Sequence, residues 1–151
     1  MKIAAGADHA GFRIKAAVVR HLRARGHEII DFGTDAETQS VDYPSYAHLV
    51  AAAVAGDAVE RGVLVCGTGI GMCITANRHG GVRAADCVTP YLAEMSRRHN
   101  DANVLCLGGR ILSEDEALAI TEVWMATPFE GDRHVRRIAL IDEPEVDADG
   151  E

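Results

Sequence analysis

Two kinds of apolar pattern alternate along the chain. Short runs rich in β-branched residues or alanine are followed by longer stretches whose apolar positions recur every three to four residues. The short runs, at 2–7, 27–32, 63–65, 82–87 and 103–107, read as strands. Residues 63–65 are wholly apolar, as expected where helices cover both faces of a parallel sheet. The first long stretch, 12–25, places Ile14, Ala17, Val18, His21 and Leu22 on one helical face. Arg13, Lys15, Arg20 and Arg23 fall on the others, and Gly26 is placed to close the helix.

The remaining helices carry their own punctuation. Pro44 suits a first helical position, and the alanine- and valine-rich stretch 45–55 ends at Gly56-Asp57. A short helix is expected over 72–77. Thr89 and Pro90 read as N-cap and first residue of a helix reaching about Arg98, followed by His99-Asn100-Asp101. Ser113 and Glu116 have capping-box spacing and open a helix carrying Leu118, Ile120, Val123 and Trp124. Residues 132–141 form a last amphipathic segment, and 142–151 read as an acidic, frayed, disordered tail. Five alternations of strand and helix predict an α/β fold over 1–141, one domain. The expected form is a three-layer αβα sandwich, Rossmann-like, on a five-stranded parallel sheet. Ligands of such sheets bind at the carboxyl ends of the strands.

Composition narrows the function. The chain has 151 residues, 48% of them hydrophobic, and a formal net charge of −8. That acidity argues against nucleic acid or an anionic membrane as the main partner. No apolar run is long enough to span a bilayer, and the N-terminus shows no signal-peptide pattern, so a cytoplasmic location is expected. The four cysteines, Cys66, Cys73, Cys87 and Cys106, form no CxxC pair or zinc-spaced cluster. No metal or other cofactor is expected from them, and a reducing compartment suits them all. Cys87 and Cys106 read as buried small hydrophobes.

The chemistry gathers at strand ends. Cys66-Gly67-Thr68-Gly69-Ile70-Gly71 puts a thiol and three alternating glycines between a strand and a helix N-terminus. Glycines let backbone N–H groups approach a ligand, and the helix dipole favours negative charge there. No GK[ST] follows, so a Walker A loop is excluded, and the motif alone leaves simple phosphate binding and catalysis both open. Asp8-His9 follows the first strand, and Asp86 lies at another strand's end. His99-Asn100 instead follows a helix and lies at the opposite edge of the sheet, so it reaches such a site only across a subunit interface. A dimer is expected for that reason. Arg133 and Arg137 share a helical face and, with His134 and Arg136 nearby, suit a phosphate dianion. Arg110 is a weaker candidate. Tyr43 either lines a pocket or covers a helix end, and Met72-Cys73 reads as packing. His21, His27, His48 and His79 read as ordinary imidazoles without obvious partners.

These motifs together resemble one family over nearly the whole chain. G-A-D-H-A-G-F at 6–12, D-Y-P at 42–44, C-G-T-G-I-G at 66–71, R-H-N-D-A-N-V-L at 98–105, G-G-R at 108–110 and G-D-R-H-V-R-R at 131–137 match the ribose-5-phosphate isomerase B family. That family also contains the galactose-6-phosphate isomerase subunits. The resemblance implies metal-free interconversion of ribose 5-phosphate and ribulose 5-phosphate through a cis-enediolate, a step of the pentose phosphate pathway. It implies Cys66 as the general base, because Met72 occupies the helix position where some relatives carry a glutamate instead. It implies His99, with Asp8, as the acid/base opening the sugar ring, and Thr68 as a helper in the second proton transfer. Gly67, Gly69, Ile70 and Gly71 would form an anion hole, with Asn100 and Tyr43 contacting the sugar. His9, Arg110, Arg133 and Arg137 would grip the phosphate. The implied assembly is a homodimer with shared active sites, or a pair of such dimers. Relatives acting on galactose 6-phosphate, allose 6-phosphate or four-carbon phosphates supply the rival substrates. A non-catalytic sugar-phosphate-binding module would keep the glycines and arginines but need neither Cys66 nor His99.

Overall fold

The computed structural model describes residues 1–143. Its elements are β1 (Lys2–Ala7), α1 (Phe12–Ala24), β2 (Glu28–Asp31), α2 (Tyr43–Ala55), β3 (Arg61–Cys66), α3 (Ile70–Ala76), β4 (Ala84–Asp86), α4 (Pro90–Asn100), β5 (Val104–Gly108), α5 (Glu114–Ala126) and α6 (Arg133–Asp142). All five strands are parallel, in the order β2-β1-β3-β5-β4. Successive residues of a strand face opposite sides, which divides the core in two. Ile3, Val63, Val65, Leu105 and Leu107 pack with α1, α4 and α5, centred on Trp124. Ala4, Leu64, Cys66, Val104 and Cys106 pack with α2 and α3. The expected three-layer sandwich is therefore present, and Cys66 belongs to the α2–α3 side. Among the described residues no helix is long and apolar enough to cross a membrane.

Element ends depart from expectation for identifiable reasons. β3 is longer than its apolar core because Gly62 and Cys66 also pair, with Val104 and Gly108 of β5. The edge strands β2 and β4 are shorter than expected, each having a neighbour on one side only. Pro44 is the second residue of α2, not the first. α3 begins at Ile70, two residues early. α4 runs through His99 and Asn100, which were expected to follow it. Asp101 then takes a left-handed φ of 44°, and the N–H groups of Asp101 and Ala102 close the helix on the carbonyls of Arg97 and Ser96. Asp142, assigned to the tail, ends α6, and the rest of that segment from 144 onward lies outside the described residues.

Lys15 does not lie on an outer face of α1. It is buried, and its Nζ donates to Asp31 Oδ1 at 2.6 Å and to the Thr34 carbonyl at 2.9 Å. The lone histidines have partners after all: His21 meets Glu122 at 3.1 Å, and His48 meets His79 at 2.8 Å between ring nitrogens. His27 lies 3.5 Å from the terminal amine, and its pKa is lowered by burial and then by that amine.

The caps read from sequence are formed. Leu92 N–H donates to Thr89 Oγ1 at 3.2 Å. Glu116 N–H donates to Ser113 Oγ at 3.3 Å, while Ser113 N–H donates to Glu116 Oε2 at 2.8 Å. The Ser113 N–H and then the Ser113 hydroxyl, which also donates to Oε2 at 2.8 Å, hold the Glu116 carboxyl below its ordinary pKa. Its contribution is therefore present above the unfolded carboxyl's pKa and lost as pH falls through the folded one. Ser113→Ala is expected to lower unfolding free energy by about 1 kcal/mol. Urea titration checks this, and the deficit should shrink in acid.

Candidate active site

Three loops meet at the carboxyl end of the sheet. The chain leaves β1 into Asp8-His9, β3 into Cys66–Gly71 and β5 into Gly108-Gly109-Arg110. Between β1 and β3 the sheet order reverses, since β1 leads to β2 on one side and β3 lies on the other. That is the topological switch point where open α/β sheets bind ligands. Backbone hydrogen bonds lock the loops together. Asp8 N–H donates to the Val65 carbonyl at 3.2 Å, Gly109 N–H to Cys66 at 2.7 Å, and Arg110 N–H to Gly67 at 3.0 Å. Arg110 consequently lies along Gly67: its Cδ is 3.5 Å from where a Cβ on that glycine would sit.

Cys66 is the last residue of β3 and is buried, 4% exposed. The Gly69 N–H donates to its Sγ at 3.2 Å. This contact requires the turn at Gly69, which has φ 84°. A side chain there would be strained by the backbone angle, and its Cβ would fall on Asp86 Oδ1. α3 starts immediately afterwards, so the first N–H groups of the helix have no carbonyl partner within it. Its N-terminus points its dipole into the same loop. The Tyr43 ring lies over Gly71, 2.7 Å from the position of an added Cβ, so Tyr43 borders the loop as well as starting α2. Thr68 and Ile70 are exposed on the rim, and Met72 is fully buried packing.

The other polar groups at this end are partly committed to structure. Asp8 is buried and its Oδ1 accepts from Gly11 N–H at 2.9 Å. His9 Nδ1 accepts from Val41 N–H at 3.2 Å. Asp86 lies beneath the glycine turn; its Oδ1 is buried without a hydrogen-bond partner, and burial raises its pKa. The sequence marked Asp86 only as a strand-end polar residue. Cys87 and Cys106 are buried as expected; burial pushes the Cys87 thiol up to about 11.

His99 and Asn100 lie at the opposite edge. α4 starts beyond the carboxyl end of β4 and runs back, so that the Asn100 carbonyl accepts from Arg83 Nε at 3.0 Å, one residue before β4 begins. The six residues of β3 and five of β5 separate the two ends by about 15–20 Å. A cleft of about 260 Å³ there is lined by His99, Asn100, His134, Arg137, Ile138 and Ile141. A neighbouring cleft of about 550 Å³ shares Asn100 and Ile141 with it and holds Arg78, His79 and Arg83, but none of the glycine-loop residues.

Within one chain, His9 and Arg110 lie at the carboxyl end of the sheet with Cys66, while Arg133 and Arg137 sit on α6 beside His99. Asp8 and His99 are likewise at opposite ends of the sheet, the arrangement expected from His99 following a helix. His134, next to Arg133 in sequence, has a different environment from the exposed arginines. It is buried at 4% exposure and stacks on His99, a contact between α4 and α6 with no local sequence signal.

Residues 3–141 match the Ribose/Galactose Isomerase family. The chain is 48% identical over 140 residues to ribose-5-phosphate isomerase B of Escherichia coli K12, covering 93% of each chain. It superposes on the ribose-5-phosphate isomerase B of Clostridium thermocellum with a TM-score of 0.93 at 47% identity, covering 95% of this chain and 96% of that one. A structure of the Mycoplasma genitalium ribose-5-phosphate isomerase B with bound ribulose-5-phosphate gives a TM-score of 0.91 at 37% identity, covering 94% of both chains. By sequence over nearly its whole length and by fold, the chain belongs to the ribose/galactose isomerase family.

Proposed function

We propose that this protein interconverts ribose 5-phosphate and ribulose 5-phosphate, without a metal, in sites built from two copies of the chain. The observation that carries the reading is the division of the machinery: a buried thiol under a glycine turn at one edge, and His99, Asn100 and Arg137 around a cleft at the other. Their separation is longer than a five-carbon sugar phosphate, so one chain cannot apply both to one substrate. A homodimer, in which each glycine loop faces the His99 cleft of the second copy, brings the halves together. Each half is rimmed by exposed apolar side chains suited to such burial. Ile70 and Ile74 are exposed on α3, the helix that follows the thiol's loop, and Val135, Leu140 and Ile141 on α6, the helix packed by His99. Asp8 and the partner subunit's His99, and His9 and Arg110 with the partner subunit's Arg133 and Arg137, then meet as the family resemblance implies. A cytoplasmic location and a place in the pentose phosphate pathway go with this reading.

The chemistry follows from the two halves. The partner subunit's His99 protonates the ring oxygen while Asp8 receives the anomeric hydroxyl proton, and the furanose opens to the aldehyde. Cys66 takes the proton from C2 and returns it to C1. The negative charge that develops on oxygen meets the amides of the 67–71 turn; one such donor is typically worth about 2.7–4 kcal/mol. Thr68 passes the second proton between the two oxygens. The arginines hold the phosphate away from the reacting carbons and supply orientation.

Mixing two inactive variants tests the shared site. Cys66→Ala and His99→Asn homodimers are each expected to be inactive on ribose 5-phosphate. Equal amounts, dissociated and reassociated at random, give half heterodimers, each with one of two sites intact, and about a quarter of wild-type turnover returns. No recovery in a mixture shown to contain heterodimers overturns the composite site.

A further inference from the structure

The ring-opening histidine sits on the last turn of a helix, 37% exposed in its side chain, where little on its own element fixes it. The structure supplies a support from elsewhere. Gly131 at φ 75° and Asp132 at φ 47° turn the chain into α6 and set His134, the second residue of that helix, against α4. The His134 ring lies 4.4 Å from the His99 ring, centroid to centroid, with 12° between their planes. Its Nε2 is buried without a hydrogen-bond partner, so the side chain is not held there by polar contacts at that atom. Backbone and charge contacts fix the approach. Glu130 N–H donates to the Arg98 carbonyl at 3.0 Å, and the Glu130 carboxylate lies 3.2 Å from the Arg98 guanidinium. That carboxylate is 3.8 Å from His99 Nε2, beyond hydrogen-bond range.

His99, Glu130 and His134 bring three ligand atoms within 4.8 Å of one another, which invites a metal. The stacking argues otherwise. Ring nitrogens bind metals in the ring plane, and two parallel rings direct those lone pairs side by side, not to one point. What two parallel imidazoles do well is fix each other's orientation.

We propose that His134 is a positioning residue for ring opening: its ring is the flat surface that holds His99 with one edge turned to the substrate cleft. The proposal rests on the ring-opening role given to His99 above. A proton donor must lie within hydrogen-bond reach of its target, and a misplacement of about 1 Å can cost 10²-fold. Electrostatics supports the arrangement. Burial lowers the pKa of His134, and Arg133, His99 and Arg137 lower it further against the pull of Glu130. A positive charge on the supporting ring is thereby disfavoured.

The test separates ring opening from proton transfer at carbon. Net conversion of ribose 5-phosphate is measured beside uptake of solvent deuterium at C1 of ribulose 5-phosphate. That ketose cannot close to a furanose because its O5 carries the phosphate, so the exchange reports enediolate formation alone. His134→Ala is expected to lower net conversion about tenfold while deuterium uptake stays within about twofold of wild type. His134→Phe, which restores a flat ring without ring nitrogens, is expected to recover most of the loss and to keep the packing. An unchanged His134→Ala, or a folded His134→Phe no better than it, overturns the proposal, as does an equal fall in both measures. If His99→Asn lowers both measures equally, the role of His99 itself fails, whatever His134 does.

Discussion

Cys66→Ala is expected to lower turnover of ribose 5-phosphate by about a thousandfold or more, with the fold retained. General bases contribute roughly 10²–10⁴-fold, and Met72 at the start of α3 is fully buried and offers no replacement. Cys66→Ser should be nearly as inactive. Its hydroxyl can still accept from the Gly69 amide, but a hydroxyl is a far weaker base than a thiolate near neutral pH. The removed sulfur leaves a small cavity on the α2–α3 side of β3, so the cost in stability should be on the order of 1 kcal/mol. Turnover assays beside thermal melts check both halves of this expectation. Substantial activity in a folded Cys66→Ala protein would remove the thiol from the mechanism.

The second large effect is expected at Gly69. Alanine there is strained by φ 84° and drives its Cβ into Asp86 Oδ1. Residues held in that region cost about 1–3 kcal/mol. Relief would come by shifting the turn, which moves the N–H that meets Cys66 and the amides beside it. Turnover should fall about 10²-fold, the scale of losing one oxyanion donor. Gly69→Ala combined with Asp86→Ala removes the collision but not the backbone strain. It should regain part of the stability and little of the activity. If the double variant regains full turnover, the collision and not the turn geometry was limiting.

The layers of the fold were legible because burial on both faces of a parallel sheet leaves unbroken apolar runs, and because Ser113, Thr89 and Pro90 mark helix starts by local chemistry. Strand ends were less so. β2 and β4 stop early because each is an edge strand, which their own residues do not encode. Lys15 reads as solvated from α1 alone; its burial depends on Asp31 at the end of β2 and the Thr34 carbonyl. In the site, Cys66 and its glycines were visible as contiguous sequence. The support of His99 was not, because the His134 contact depends on how the 131–132 turn lays α6 on α4. The position of Asp86 under Gly69 was hidden for a similar reason, since β5 lies between their strands.

The placement of thiol and imidazole at opposite sheet edges ties chemistry to association. If the sites are composite as proposed, dilution below the dissociation constant of the pair lowers the rate per molecule by mass action. In such a dimer a chain broken in both halves spoils both clefts it shares with a sound copy, so the lesion would be dominant over an intact gene product.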